Sequence, residues 1–188
     1  MYEHEVRALI DYLAALLAGA NAEPASNLTR ALADEIGVGR CRLPANGQTA
    51  LSRTAALING TASHIVEFDD IYRDGIYHPG CPVIAAAVAG CEHDNATQGR
   101  LLRAIIAGYE ISTRIAEVIQ PAHYRFWHTT GTVGMFGAAA AVAEDRLAGE
   151  ARGLGARRVG IGVVGAGSEQ PPIPPRQIGR IRVYAPAS

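Results

Sequence analysis

The chain has 188 residues, 48% of them hydrophobic, and a formal net charge of −1. That length can bury a real core, and nothing in the charge balance suggests a nucleic-acid surface or an acidic-membrane partner. All 17 basic side chains are arginines, so no lysine is present to act as a Schiff-base amine or general base.

Residues 3 to 18 carry Val6, Ala8, Leu9, Leu13, Leu16 and Leu17 at helical spacing, with Gly19 and Asn21 as the stop. Acidic residues in front and Asp11 within make this a helix of the folded protein and not a signal peptide. Nothing in the chain approaches the ~20 apolar residues of a membrane span. Ser26 is a candidate cap for a second helix running to about Ile36, ended by Gly37-Val38-Gly39. The stretch CRLPANGQTALS, punctuated by Pro44 and Asn46-Gly47, reads as a turn or short irregular connection.

A small-residue helix is predicted from about Thr49 to Glu67, with Asn59-Gly60 marking a bend or a close backbone approach. CPVIAAAVAGCEH follows as a buried helix with Pro82 in its first turn. A long helix then starts at Thr97 or Gln98 and is stopped by Pro121. After an aromatic and histidine-rich loop at 123–130, a glycine-alanine helix is predicted from about Gly131 to Leu147. No heptad persists, so the fold class is all-α, a compact multi-helix array.

The segment 148–188 gains glycine, proline and arginine and loses helical periodicity, which reads as an irregular tail. VGIGVVGAGSE within it lacks the lysine of a phosphate-binding loop, and no βαβ unit surrounds it. The three cysteines, Cys41, Cys81 and Cys91, have no C-x-x-C spacing. That argues against a zinc ribbon or an iron–sulfur centre and for a reduced, cytoplasmic compartment.

The chemistry concentrates in HIVEFDDIYRDGIYHPG, His64 to Gly80, with four carboxylates, an arginine and two histidines in seventeen residues. His64 and Glu67 share a helix face, and His64 alone reads as a satisfied buried histidine. Asp69 and Asp70 fall where negative charge opposes the helix dipole, which suits a capping turn or a site. His78 is aimed from the rigid His-Pro-Gly corner, and a histidine beside carboxylates exchanges protons near neutral pH. His128 precedes Thr129-Thr130-Gly131, whose amides open the last helix and suit a substrate carboxylate; Phe126 and Trp127 are expected to exclude water there. His64, Glu67, Asp69, Asp70 and His78 are also possible zinc or iron ligands, but their spacing matches no metal motif, and the site is read as metal-free and without cofactor.

Three separated segments, ALINGTASHIVEFDDIYRDGIYHPGCPVIAAAVA, AIIAGYEISTRIAEVI and FWHTTGTVGMFGAAAAVA, resemble the MmgE/PrpD family, as does LIDYLAALLAGA near the start. The likeness runs in order over roughly residues 7 to 145. The family includes 2-methylcitrate dehydratase and cis-aconitate decarboxylase. The resemblance implies a large helical active-site domain followed by a smaller α/β lid, a homodimer, and no metal. It implies loss of water from a hydroxy-tricarboxylate in propionate catabolism.

Residue by residue, His78 matches the histidine of the family's His-Pro motif, and His128 the histidine before the glycine-alanine helix. Glu67, Asp69 and Asp70 fall in the D-F-D-D signature, with Glu67 replacing its first aspartate. Ile71 stands where some members have threonine, so dehydratase, decarboxylase and epimerase chemistry all stay open. Removing water across a C–C bond needs a base for the carbon-bound proton and an acid for the departing hydroxide. Arg73 and Arg125, with Arg114 further off, are the cations a polycarboxylate would need, beside Thr129 and Thr130.

The family pattern fades between Ala143 and Gly165, from which a truncated or frame-shifted helical domain, 1–147, with exposed apolar faces is expected. The alternative is a non-catalytic helical remnant or subunit that dimerises.

Overall fold

The structure, a computed structural model, describes residues 3–153, with side chains through Gly149. Of the irregular tail expected over 148–188, residues 148–153 instead continue the last helix, and the rest lies outside the described residues. Six α-helices and one small hairpin make up the fold among them: α1 (Glu3–Gly19), α2 (Glu23–Ala31), β1 (Ile36–Leu43), β2 (Gln48–Ala50), α3 (Ser52–His64), α4 (Gly80–His93), α5 (Gln98–Ile119) and α6 (Thr129–Gly153). The fold is an all-α array, as the periodicity predicts.

The central element is α4, which touches α1, α3, α5, α6 and β1. Its residues Cys81, Val83, Ile84, Ala85, Ala87, Ala89 and Cys91 are all buried, which explains a sequence with almost no polar face. Around it, Tyr12 and Leu16 of α1, Ala62 of α3, Ile105 and Tyr109 of α5 and Ala141 of α6 close the main core. Each fully buried Leu or Ile there contributes about 1.5–3 kcal/mol.

Small residues set the spacing. A Cβ on Gly60 would stand 3.0 Å from the Cys81 carbonyl oxygen, so α3 meets α4 backbone to backbone, the close approach that Asn59-Gly60 signals. Where α5 crosses α6, a Cβ on Gly137 would stand 2.7 Å from Val83 Cγ2 and 2.8 Å from Ser112 Oγ. At the far end of that crossing, buried Asp145 of α6 pairs with Arg100 of α5, Nε to Oδ1 2.8 Å.

The segment after α1 departs from expectation. Helix α2 starts at Glu23, with Pro24 in its first turn, and Ser26 sits inside it, donating to the Glu23 carbonyl instead of capping. The helix stops at Ala31; a single 3₁₀ turn, Ala33–Glu35, leads into β1. Residues 36–50 then form an antiparallel hairpin, with Leu43 opposite Gln48. Asn46 makes its turn, accepting the Gln48 amide at 3.0 Å, while Gly47 takes φ +71°. Cys41, Leu43 and Ala50 pack the hairpin onto Ala55 and Ile58 of α3.

Candidate functional site

The segment between α3 and α4 is folded tightly over α5 and the start of α6. Helix α3 ends at His64 because Glu67 turns left-handed, φ +55°, with its amide bonded to the His64 carbonyl at 3.0 Å. That turn brings Asp69 back beneath His64. Tyr72 and Tyr77 then pair antiparallel around a 3₁₀ turn at Arg73–Gly75. Tyr77 is buried with Ala116 and Val133 beneath this loop.

Polar ties from Gln120 and Thr130 hold the loop to α6. Gln120 Nε2, just past α5, donates both to the Gly75 carbonyl, 3.0 Å, and to Thr129 Oγ1, 2.7 Å. The His78 amide donates to Thr130 Oγ1 at 3.1 Å. The two threonine hydroxyls at the start of α6 therefore fix the corner from which His78 projects.

Asp69 is the centre of the cluster. Its side chain is 3% exposed; Oδ2 lies 3.0 Å from His64 Nδ1 and Oδ1 lies 3.4 Å from His78 Nδ1. The first is a hydrogen bond; the second is a longer charge contact that leaves both atoms without a hydrogen-bond partner. Burial pushes the Asp69 pKa up, but the two histidines outweigh it and the net shift is downward. His78 is shifted up by its contact with the Asp69 carboxylate, against the opposing effect of burial. The His64 and His78 rings lie 5.0 Å apart between centroids, and His128 completes a row, 6.2 Å from His64.

Asp70, its neighbour, faces elsewhere. Its Oδ1 accepts the Gly80 amide at 2.9 Å, and its Oδ2 accepts the Tyr109 hydroxyl at 3.0 Å. It caps α4 from a distance, and a Cβ on Gly80 would collide with it. Burial raises its pKa to about 6. Asp11 of α1 lies close enough for its own pKa to rise, through burial and then the Asp69 charge.

The structure thus gathers His78, His128 and Asp69, while Asp70 braces the helix start beside them. Glu67 is exposed and reaches His78 only through its charge. Arg73 and Arg125 are exposed, each in a 3₁₀ turn beside the cluster, whereas Arg114 pairs with Glu110 one turn earlier on α5. Phe126 and Trp127 are 81% and 62% exposed, so they do not seal the cluster from water as expected. An open depression along Val38, Arg40, Leu51, Ser52 and His93 of the hairpin region contains none of these groups.

His64 is the member that sequence reasoning set aside. Its five-residue separation from Asp69 matches no helix spacing; only the left-handed Glu67 turn closes the pair, and the signal was the abrupt charge at a helix end. Cys81 is a second, with a ligand atom grouped with those of His64 and Asp69, all within 4.8 Å of one another.

A family model described as the MmgE/PrpD N-terminal domain matches residues 1–149. No curated protein matches the chain. No helix among the described residues is long and apolar enough to cross a membrane.

Proposed function

The chain belongs to the MmgE/PrpD family, and on that premise we propose that its clustered histidines and Asp69 carry out metal-independent lyase chemistry of the 2-methylcitrate dehydratase type. The substrate class is a hydroxy-tricarboxylate of propionate catabolism, handled in the cytoplasm. The observation that supports this reading best is Asp69, a buried carboxylate shared by two imidazoles.

The Asp69 carboxylate orients the His64 ring by a hydrogen bond and the His78 ring by a longer charge contact, leaving Nε2 of each, on the opposite edge, for substrate. His78, with its pKa raised by the Asp69 carboxylate, suits the acid that protonates the departing hydroxide. His128 suits the base that takes the proton from the carbon next to a substrate carboxylate. The products are water and a carbon–carbon double bond; solvent then returns a proton to His78 and removes one from His128. Arg73 and Arg125 supply positive charge for substrate carboxylates, and the first amides of α6 add a partial one. Thr129 and Thr130 contribute by locking the His78 loop to α6. Asp70 holds the start of α4, and Glu67 adds a small negative charge that pushes the His78 pKa in the same direction as Asp69.

The test is dehydration of 2-methylcitrate by the full chain, followed by absorbance of the unsaturated product. His78→Ala is expected to lower the rate by about 10²–10⁴-fold, the usual contribution of a general acid. Equal rates for wild type and His78→Ala would sink the assignment of His78. No turnover of 2-methylcitrate, with none of cis-aconitate either, would favour the alternative of a subunit that acts through dimerisation. Val118, Phe126, Trp127 and Met135, each more than 60% exposed around the α5–α6 junction, are the observation that favours that second reading.

A further inference from the structure

Cys81 has no part in the lyase reading, yet its position is specific. It stands in the first turn of α4, 6% exposed, with Sγ 3.6 Å from the His78 carbonyl oxygen. One ligand atom from each of His64, Asp69 and Cys81 lies within 4.8 Å of the other two. Asp69, nine-tenths buried and more, keeps Oδ1 without a hydrogen-bond partner. A buried acceptor left unpaired carries a desolvation cost that a ligand can relieve.

We propose that His64, Asp69 and Cys81 form a binding site for a thiophilic divalent cation of the zinc class, with one coordination position left open. The donor set decides the class: a thiolate and an imidazole favour zinc over magnesium or calcium, and a carboxylate completes a neutralising three-ligand shell. Zinc–ligand bonds of about 2.0–2.3 Å place neighbouring donors roughly 3–4 Å apart. His64 Nδ1 and Asp69 Oδ2 lie 3.0 Å apart, and with the three ligand atoms all within 4.8 Å of one another the groups need only small shifts to close on a cation. On binding, the thiol proton passes to solvent and His64 coordinates through a nitrogen lone pair. Under the lyase reading, such a cation draws Asp69 away from His78 and inhibits. The site itself does not depend on that reading, because it is detected by a spectrum and not by turnover.

The experiment is titration of the full chain, freed of metal by chelator, with cobalt(II). The expected result is the intense visible absorption of four-coordinate cobalt and a thiolate-to-cobalt charge-transfer band, saturating at one equivalent. Both features vanish in Cys81→Ser and persist in Cys91→Ser, with circular dichroism checking that each variant keeps its helices. A pale six-coordinate spectrum without a thiolate band in the wild type overturns the proposal, as does a thiolate band that survives in Cys81→Ser. His64→Gln, at a half-buried position that does not pack the core, provides a second arm. It is expected to weaken cobalt binding by tenfold or more, and unchanged affinity contradicts the assignment even where Cys81→Ser does not fold.

Discussion

Asp69 and Asp70 are adjacent in the chain and opposite in their chemistry. Asp69, held below its ordinary pKa by two imidazoles, is charged throughout the working range. Asp70, raised to about 6 by burial, takes up a proton in the folded state more readily than in the unfolded one. Its contribution is therefore complete below about 3.8 and is lost as pH rises from there through about 6. The Asp69–His78 contact is bounded on both sides. The Asp69 part is present above 3.8 and lost as pH falls below it; the His78 part is present below 6.5 and lost as pH rises through its elevated pKa.

Asp70→Asn, which keeps an acceptor for the Gly80 amide without the charge, is expected to abolish the fall in stability between about pH 4 and 6. Asp70→Ala strands the Gly80 amide and Tyr109 hydroxyl and is expected to cost on the order of 1–3 kcal/mol. Urea unfolding at several pH values measures both, and a wild-type curve rising from pH 4 to 6 would contradict the Asp70 assignment.

At the scale of elements, glycine is the device that lets α4, α5 and α6 approach closely enough to position the site. Gly137 meets Val83 and Ser112 with no room for a methyl group, whereas Gly99, near the start of α5, has open space around it. The same substitution should therefore have opposite signs at the two places. Gly137→Ala is expected to destabilise by about 1–3 kcal/mol through overpacking, and Gly99→Ala to stabilise by up to about 1 kcal/mol by restricting the unfolded chain. Thermal unfolding of the two variants decides; Gly137→Ala as stable as the wild type would mean that the crossing is loose.

The helices with long small-residue or amphipathic runs, α1, α4 and α5, were legible to within a few residues because their periodicity matches their packing, whereas α6 runs past the expected end at Leu147 to Gly153. The hairpin was not. Gly37-Val38-Gly39 and Pro44 read as breaks between helices, and a strand of three residues against one of eight has too little alternation to stand out. Asn46-Gly47 was the available signal, since that pair marks hairpin turns. Ser26 misled because a good cap residue is equally at home inside a first turn that Pro24 has already started.

In the whole molecule, the site exists because four separate segments converge: the end of α3, the loop before α4, the end of α5 and the start of α6. His78, His128 and Asp69 were recognisable from residue type and from likeness to a family. Their meeting depends on Gln120 and Thr130, polar residues with no local pattern that tie the loop to α6 across about fifty positions of sequence. His64 joined them through a backbone turn that sequence spacing does not encode. The central claim is that Asp69, held in place by this convergence, raises the pKa of His78 above its ordinary value.

Nitrogen-15 NMR titration of the histidine rings, in the wild type and in Asp69→Asn, tests that claim most directly. The result expected is a wild-type His78 titrating above its ordinary value of 6.5 and falling back to that value or lower in Asp69→Asn. A His78 that titrates at or below 6.5 in the wild type, or identically in both proteins, contradicts the account.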